Sequence, residues 1–391
     1  MVLTSAASDV VVIGAGITGA AAALELAERG AKVTLVDGFG PASMASGWTL
    51  AGVRQSGRHP AELPLALQAV ALWPGLSEKL GQETGYRQKG NLRLARTDAE
   101  VATIRALVAD QSAAGLPITF LPDLQSVREI APPLSDQVLA ASFCASDGHA
   151  DPDLTVKAYV KKAERLGVET CFGEKVTRLE SSGHRVEAVV TSDRKIACGA
   201  VVLATGILAN ELLEPLGSSI PLRRPVVTVL RSAVCEPMLE PVLGVANADM
   251  AARQERCGRM RVTSGARFGD WTLTTRQGWP AIRPDMNAVQ DTIAKVSAVL
   301  PAFGALTLES FWAGALDLTP DALPVIDKAP GMDNLTIAAG FSGHGFGIGP
   351  VTGPMAAQIA LGITPDLDAE AFRFDRFENT DQAEASLTLH G

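Results

Sequence analysis

Residues 9–19 read Asp-Val-Val-Val-Ile-Gly-Ala-Gly-Ile-Thr-Gly and decide the fold. Residues 10–13 are a continuous apolar, β-branched run of the kind that forms a parallel strand buried on both faces. Gly14, Gly16 and Gly19 follow with the spacing GxGxxG. This spacing allows a tight turn, a close approach of the backbone to a pyrophosphate, and tight packing of the next helix on the strand. The stretch therefore predicts the start of a dinucleotide-binding βαβ unit.

The residues that follow complete this unit. An alanine-rich stretch at 20–27 predicts the helix, whose N-terminus offers free N–H groups and a dipole to the pyrophosphate. A second apolar run at 33–36 ends at Asp37, about 20 residues beyond the glycines, where a carboxylate accepts ribose hydroxyls and repels a 2′-phosphate. The unit disfavours NADP, and by itself it does not separate FAD from NAD.

Composition bounds the class of protein. A chain of 391 residues with 47% apolar content has the length of two or three domains. Its formal charge of -9 argues against nucleic acid or an anionic membrane as a default partner. No apolar run reaches the roughly 18 residues of a membrane span. The N-terminus has no basic segment before an apolar stretch, so we expect no secretory signal.

Cysteines and histidines restrict the chemistry further. The five cysteines are scattered and contain no CxxC pair, which is typical of a reducing compartment, so we expect a cytoplasmic protein. The five histidines show neither HxxxH nor HExxH spacing, and we expect no metal site.

Two further strand patterns indicate that the nucleotide-binding domain is discontinuous. Residues 200–203 and 335–339 are apolar runs followed by Gly206 and Gly340, at the carboxyl ends of strands where α/β sheets bind ligands. We predict an α/β fold, α+β overall, with a Rossmann-like domain at 1–56, 145–215 and 325–391. The second, substrate domain is built on a mixed or antiparallel sheet and comprises 57–144 and 216–324. Its expected elements are helices near 63–80 and 99–114 and strands near 226–234, 260–263 and 306–312.

The stretch 340–350, Gly-Phe-Ser-Gly-His-Gly-Phe-Gly-Ile-Gly-Pro, is unusually rich in glycine. Glycine allows positive φ and close approach of the backbone to a flat or charged group. A helix expected over 352–361 would point its N-terminus at that group, where the dipole favours negative charge such as that of a reduced flavin. We interpret 340–350 as a loop that contacts a cofactor; a loop that binds nothing is the alternative.

Together these residues resemble the FAD-dependent amine and amino-acid oxidoreductases, the family of D-amino acid oxidase, glycine oxidase and monomeric sarcosine oxidase. The resemblance covers nearly the whole chain. Its most specific part is 338–346, which is similar to the flavin loop of sarcosine oxidase, and it extends to 43–52, 204–206 and 312–324. It implies FAD, with the isoalloxazine ring between the two domains. It also implies hydride transfer from a small amino acid to flavin N5, which gives an imine.

Three departures from the family pattern change what the resemblance implies. Residues 312–321 lack the cysteine that carries the flavin in monomeric sarcosine oxidase, so we expect FAD to be non-covalent. Gly347 stands where that enzyme has a lysine that binds the substrate carboxylate. Residues 260–265 contain no lysine of the kind that activates oxygen there, and Arg261 is their only cation. A dehydrogenase that passes electrons to a quinone or a carrier protein is therefore the alternative to an oxidase.

The expected cofactor contacts come from segments spread along the chain. They are Gly14, Gly16, Ile17, Thr18, Gly19, Asp37, Ser43, Ser46, Gly47, Gly52, Val176, Ala204, Thr205, Gly206, Gly314, Gly340, Gly343, His344, Gly345, Phe346 and Gly347.

On the substrate side, Arg54 follows the 43–52 segment, and the resemblance implies a carboxylate-binding arginine close to this position. A guanidinium binds a carboxylate through two hydrogen bonds, so Arg54 is the expected carboxylate ligand. Arg58 and Arg267 compete for this role. Trp48 and Trp312 are candidates for the walls of the site, with core packing as the alternative for each. The expected active-site residues are Arg54, His344 and Trp312.

The histidines are expected to differ in environment. For His344 we favour a structural or flavin-contacting role over that of a catalytic base. His59 and His149 lie in turn-like segments rich in Pro or Asp, so we expect them at the surface.

The expected function is oxidation of a secondary, N-alkyl or D-amino acid by an FAD-dependent oxidase or dehydrogenase. One alternative is the flavin subunit of a hetero-oligomeric amino-acid or opine-type dehydrogenase, and another is an NAD-binding dehydrogenase. The expected partners are a small amino-acid substrate and an electron-acceptor protein or quinone, with neither nucleic acid nor an integral membrane segment.

Overall fold

Two large sheets organise the chain in the computed structural model, which describes residues 3–4 and 7–377. The part of the expected nucleotide-binding domain at 378–391 lies outside the described residues. Within the described ranges the helices are α1 (Ile17–Glu28), α2 (Ala45–Trp48), α3 (Leu63–Leu72), α4 (Leu76–Leu80), α5 (Asp98–Ala113), α6 (Leu124–Ile130), α7 (Pro152–Arg165), α8 (Ala209–Leu213), α9 (Met286–Val299) and α10 (Gly345–Ala360).

The strands of the same residues fall into the two large sheets and two short pairs. They are β1 (Leu3–Thr4), β2 (Ser8–Ile13), β3 (Val33–Asp37), β4 (Gly52–Val53), β5 (Asn91–Ala95), β6 (Ile118–Leu121), β7 (Ala140–Cys144), β8 (Gly148–His149), β9 (Glu169–Phe172), β10 (Val176–Ser182), β11 (Arg185–Thr191), β12 (Arg194–Leu203), β13 (Val226–Val234), β14 (Val242–Val245), β15 (Met250–Gln254), β16 (Arg259–Ser264), β17 (Thr274–Arg276), β18 (Trp279–Ala281), β19 (Leu308–Ala315), β20 (Val325–Lys328) and β21 (Leu335–Ala339).

The first sheet contains the amino-terminal motif. Strand β2 lies between β12 and β3 and is parallel to both, so that Val12 pairs with Val202 on one side and Leu35 on the other. Strands β9 and β21 extend this parallel layer outward, and β10 and β11 add an antiparallel hairpin beside β12. The Rossmann-like unit is therefore confirmed, together with the four apolar strands on which its prediction depended.

The second sheet has the strand order β19-β13-β16-β15-β14-β5-β7-β6 and is antiparallel except where β14 pairs with β5. One face packs its apolar side chains, including Leu92, Leu230 and Val262, against Val296 of α9. Because side chains alternate along a strand, Arg93, Arg253, Arg261 and Thr263 lie on the opposite face. The expected mixed sheet is confirmed, and the cavity described below lies at its polar face.

The predicted helix at 63–80 consists of two helices, α3 and α4, separated by a 3₁₀ turn at Trp73–Gly75. Leu65, Ala69 and Trp73 belong to the same apolar core as α1 and α10. This segment was expected in the substrate domain, but it packs with the nucleotide-binding unit. The division of the remaining chain into two domains stays a prediction.

Helix α10 begins earlier than expected, at Gly345 rather than near residue 352. The interpretation of 340–350 as a loop is therefore wrong from Gly345 onward. A Cβ atom on Gly349 would lie 2.5 Å from Cγ1 of Ile17, and one on Gly353 would lie 2.5 Å from Cβ of Ala21. These glycines let α10 pack closely on α1. No helix of the described ranges has the length and apolarity needed to cross a bilayer.

Candidate active site

A cavity of about 340 Å³ is lined by residues of both sheets. Most of the residues expected from the sequence lie on its wall, which brings together segments from Gly14 to Phe346. They are Gly14, Gly16, Ile17, Thr18, Asp37, Ser43, Ser46, Gly52, Arg54, Val176, Ala204, Thr205, Gly206, Gly314, Gly343, His344, Gly345 and Phe346. The residues expected at the site that do not line the cavity are Gly19, Gly47, Gly340, Gly347 and Trp312.

The four glycines behind the wall are needed for close packing. A Cβ atom would lie 1.9 Å from the carbonyl oxygen of Gly14 if added to Gly19, and 2.0 Å from that of Ala42 if added to Gly47. At Gly347 it would lie 2.9 Å from the carbonyl oxygen of Gly52, and at Gly340 it would lie 2.6 Å from the Thr319 side chain. These glycines shape the cavity from outside it.

The N-terminus of α1 opens into the cavity. Gly16 is its N-cap and provides no side-chain cap, while the N–H of Ile17 donates to Oγ of Ser46 at 3.0 Å. The first-turn N–H groups of a helix have no acceptor within the helix. Their partial positive charge suits an anion, so this end of the cavity can bind a pyrophosphate.

Asp37 is held rigidly at the end of β3. Its Oδ2 accepts from the N–H of Ala15 at 2.8 Å, and its Oδ1 accepts from the N–H groups of Phe39 and Gly40, both at 2.8 Å. Burial raises the pKa of Asp37, and these backbone donors oppose that rise. The carboxylate is thereby oriented on the cavity wall, where the motif predicts a ribose.

Two features of the wall indicate that the cavity accommodates a ligand. Oγ1 of Thr205 is buried and has no hydrogen-bond partner within the described ranges. Gly52 lines the cavity, and nothing lies within 4 Å of the position that a Cβ atom would occupy there. A buried hydroxyl without a partner is unfavourable, and a ligand atom can supply the missing hydrogen bond. These residues, with Asp37 and the α1 N-terminus, fit a dinucleotide.

Arg54 and Arg58 supply cations on the wall. Their exposed fractions are 5% and 6%, Nη1 of Arg54 donates to the carbonyl oxygen of Ser56 at 2.5 Å, and Nε of Arg58 donates to the carbonyl oxygen of Arg54 at 3.2 Å. A third buried guanidinium, that of Arg93, lies close behind Gly57, where an added Cβ atom would lie 2.4 Å from its Nη2.

These arginines are buried together with acidic neighbours. Burial, and then the neighbouring arginines, lower the pKa of Arg54, and burial lowers the pKa of Arg93 to about 10. The buried carboxylates that interact with them are Glu62 and Asp147. Arg54, Arg58 and Arg93 repel one another in a poorly solvated place, and an anionic group of a ligand on the wall would reduce this repulsion.

Two buried acids of the site were not predicted. Asp317 lines the cavity, and its Oδ2 accepts from the N–H groups of Gly340 at 2.7 Å and Phe341 at 3.2 Å. Burial raises the pKa of Asp317 to about 6. Oε2 of Glu62 lies 2.9 Å from Nδ1 of His344. Neither contact could be read from spacing, because the partners are far apart in the chain.

The two tryptophans expected at the walls have different positions. Trp48 lines the cavity, whereas Trp312 lies behind it and donates from Nε1 to the carbonyl oxygen of Trp48 at 3.1 Å. The guanidinium carbon of Arg261 lies 5.3 Å from the ring centre of Trp312. Trp312 therefore supports a wall residue rather than forming the wall.

Arg267 and His149 take no part in the cavity wall. Arg267 pairs with Asp291 at 2.8 Å, which leaves Arg54 and Arg58 as the arginines on the described wall. The expectation that His149 lies at the surface is wrong: its exposed fraction is 1%, and its Nδ1 lies 2.8 Å from Nη1 of Arg253. Pairing of β8 with β4 places this turn-like segment inside the molecule. His59 is exposed as expected.

Comparisons of this chain with family models, protein sequences and solved structures indicate the same family. The family model described as "FAD dependent oxidoreductase" matches residues 9–359. Glycine oxidase of Bacillus subtilis (strain 168) is 27% identical, over 95% of this chain and 98% of that protein. Sarcosine oxidase subunit beta of an Arthrobacter species is 26% identical, over 95% of this chain and 91% of that protein. The crystal structure of L-proline dehydrogenase from P. horikoshii superposes with a TM-score of 0.85 at 28% identity, covering 96% of this chain and 99% of that chain.

Proposed function

The chain belongs to the family of FAD-dependent oxidoreductases, and we propose that it oxidises a small amino acid whose carboxylate binds at Arg54. A secondary or N-alkyl amino acid is the preferred substrate class, followed by a D-amino acid. The observation that carries the proposal is that Arg54 and Arg58, both buried, lie on the wall of the same cavity as the GxGxxG motif.

We assign different parts of the cavity wall to different parts of FAD. The α1 N-terminus near Gly16 and Ser46 would hold the pyrophosphate, Asp37 would hold the ribose, and Thr205 and the first turn of α10 would contact the flavin. When bound, FAD accepts the hydride that the substrate loses. Ala313, Gly314 and Ala315 offer no nucleophilic side chain, which supports non-covalent binding.

The substrate end combines a charged side with an apolar one. Arg54 and Arg58 provide positive charge at the wall, which attracts a carboxylate and orients the carbon next to nitrogen. Val227, Val229 and Leu273 line the cavity as well and exclude water from the reacting carbon. The substrate would give a hydride from carbon to FAD and a proton from nitrogen to solvent water, and water would then hydrolyse the imine.

Anaerobic bleaching of the flavin absorbance tests this proposal. The panel contains sarcosine, D- and L-proline, D-alanine and glycine, and dimethylamine serves as the analogue of sarcosine without a carboxylate. We expect bleaching by at least one amino acid and none by dimethylamine at equal concentration. Failure of every amino acid to bleach the flavin, or equal bleaching by dimethylamine, contradicts the proposal.

A second candidate function is that of a flavin subunit in a larger dehydrogenase. Within the described ranges the lysine on the cavity wall is Lys175, which pairs with Glu211 at 3.2 Å, and the strand β16 contains none. The described part of this strand thus has no counterpart of the oxygen-activating lysine of monomeric sarcosine oxidase. Similarity to a protein named as a subunit also favours this candidate.

Reoxidation distinguishes the two candidates. The anaerobically reduced protein is mixed with air-saturated buffer or with a quinone, and untagged protein is purified from its native host. Rapid reoxidation by air and elution of the chain alone favour an oxidase. Slow reoxidation by air, rapid reoxidation by the quinone and co-elution with a second protein favour the subunit.

Cytoplasmic location remains a proposal. It is supported by the cysteines, since all five lie within the described ranges and are unpaired. Fractionation of host cells tests it, and recovery of the protein in a secreted or envelope fraction contradicts it.

A further inference from the structure

Glu62 is a buried carboxylate that contacts two residues of the cavity wall. Its exposed fraction is 0%, its Oε2 lies 2.9 Å from Nδ1 of His344, and its Oε1 lies 3.6 Å from Nη1 of Arg58. Glu62 occupies the N-cap position of α3, yet its side chain makes no capping hydrogen bond to that helix. The carboxylate is directed to the cavity wall instead.

We propose that Glu62 is a positioning residue that holds the imidazole of His344 in its Nδ1–H tautomer and keeps Arg58 at the cavity wall. An ionised carboxylate can only accept hydrogen bonds, so the ring atom that meets it at 2.9 Å must carry a hydrogen. The neutral imidazole then has its lone pair on Nε2. Through these two contacts Glu62 joins the start of α3 to the start of α10.

The charge states of the pair agree with this tautomer. Burial lowers the pKa of His344, and Arg58 and Arg54 lower it further against the opposing effect of Glu62, so the ring is neutral near pH 7. Burial tends to raise the pKa of Glu62, but His344 and Arg58 lower it to about 2. An ionised acceptor therefore faces a neutral N–H donor over the range in which the enzyme would be assayed.

The free-energy cost of burying the Glu62 carboxylate argues against a role in packing alone. A fully buried carboxylate is expensive unless it is paired and hydrogen-bonded, and apolar residues in place of a whole buried ion pair are often as stable or more so. Glu62 directs both of its oxygens to residues that line the cavity, and its neighbours Leu65 and Ala66 belong to the apolar core. The contacts with His344 and Arg58 are what a carboxylate provides and an apolar side chain does not.

This inference rests on the proposed function only in assuming that His344 and Arg58 face the substrate. The tautomer itself is a property of the FAD-loaded protein and is measured without substrate. If the substrate panel fails and the tautomer is as stated, the proposed function is wrong and the role of Glu62 stands. If the panel succeeds and the tautomer differs, the proposed function stands and the role of Glu62 is wrong.

The experiment is histidine ¹⁵N NMR on the FAD-loaded protein between pH 6 and 9, with His344→Gln to assign the signals of that ring. We expect a neutral Nδ1–H ring in the wild type and in Glu62→Gln, whose side-chain oxygen still accepts. Glu62→Leu should lose this tautomer and keep its FAD, and its kcat/KM should be at least tenfold lower than that of the wild type. The kcat/KM of Glu62→Gln should be at least fivefold higher than that of Glu62→Leu. The control, Glu100→Leu, breaks a pair with Arg96 outside the cavity and should leave the His344 signals unchanged.

Three results would overturn the inference. They are an Nε2–H ring in the wild type, a ring that becomes doubly protonated within this pH range, and an unchanged tautomer in Glu62→Leu. Should Glu62→Leu fail to fold, the wild-type spectrum and the rates of Glu62→Gln decide the matter. The inference is supported if the wild-type ring is Nδ1–H and the rate of Glu62→Gln is closer to that of the wild type than the rate of His344→Gln is. A rate of His344→Gln closer to that of the wild type contradicts the inference.

Discussion

Oδ2 of Asp37 accepts a hydrogen bond from the N–H of Ala15 at 2.8 Å, which joins the end of one strand to the glycine turn after its neighbour. The other oxygen of this carboxylate accepts hydrogen bonds from the N–H groups of Phe39 and Gly40. Asp37 therefore organises the backbone on both sides of the cavity end where the ribose is proposed to bind. The proposed function of Asp37 and its structural role are therefore coupled.

The first prediction is that Asp37→Asn weakens FAD binding. An amide has one acceptor oxygen, so it cannot serve both sets of backbone donors and a ribose hydroxyl. Loss of hydrogen bonds to a charged group costs about 1.5–3 kcal/mol, or roughly a tenfold to hundredfold increase in the Kd for FAD. Fluorescence titration of the apoprotein with FAD measures it.

The control for that titration is Asp9→Asn. Asp9 accepts from the N–H of Lys32 at 2.8 Å at the other end of the same strand pair, and it is exposed. Its replacement should leave the Kd for FAD within about twofold of the wild type, since an exposed hydrogen bond contributes little. Equal effects of the two replacements would remove Asp37 from the cofactor site.

The second prediction concerns the contact between α1 and α10. A Cβ atom on Gly353 would lie 2.7 Å from the carbonyl oxygen of Thr18 and 2.8 Å from the N of Ala22, and neither backbone atom can move freely. Overpacking of this kind costs about 1–3 kcal/mol. Gly353→Ala should lower the unfolding temperature measurably, whereas Gly75→Ala, with nothing within 4 Å of its added Cβ, should not. An unchanged unfolding temperature in Gly353→Ala would mean that the helices are less closely packed.

The Rossmann-like fold could be predicted because its signals are local. Strand, glycine turn, helix, strand and terminal acid follow one another within residues 9–37, and each has its own spacing or composition. The glycines after residue 344 were misinterpreted for a physical reason. A glycine that a loop uses for its φ and a glycine that a helix uses for close packing look the same in a sequence.

The substrate side of the cavity was less predictable because its contacts are long-range. Arg54 was found through its position after the 43–52 segment, and Arg58 was retained as a competitor. Glu62 gave no signal, since its partner His344 is 282 residues away. The burial of His149 follows from strand pairing that its Asp-rich surroundings do not reveal.

The third prediction is a loss of stability in mild acid that depends on His149. Burial, and then Arg253, hold the pKa of His149 well below its usual 6.5. The unfolded chain therefore binds a proton that the folded chain does not, and the free energy of unfolding falls as the pH drops below about 6.5. Each such histidine contributes up to about 1.4 kcal/mol per pH unit.

Urea unfolding at pH 7.5, 6.5 and 5.5 checks this prediction in His149→Asn, whose side-chain oxygen can still accept from Arg253. The variant should show a shallower decline below pH 6.5 than the wild type, although His344 continues to contribute. The exposed His59 supplies the control, and His59→Asn should retain the wild-type decline. A decline of equal slope in all three proteins would contradict a buried, neutral His149.

The fourth prediction concerns Arg54 and binding of a carboxylate beside the flavin. Butanoate has the shape of sarcosine with carbon in place of nitrogen, so it can bind and cannot be oxidised at that position. Its binding is followed by the change in flavin absorbance, with butanamide as the uncharged analogue. Loss of a charged hydrogen-bonding partner costs about 1.5–3 kcal/mol, so Arg54→Met should weaken butanoate binding at least tenfold.

The control for the butanoate titration is Arg267→Met, which removes an arginine that pairs with Asp291 away from the cavity wall. We expect saturable binding of butanoate in the wild type and in Arg267→Met. In Arg54→Met the Kd for butanoate should be at least tenfold higher, with unchanged FAD content. Butanamide should not change the flavin absorbance. Equal butanoate affinity in Arg54→Met and the wild type, or loss of FAD in step with loss of butanoate, would contradict a carboxylate site at Arg54.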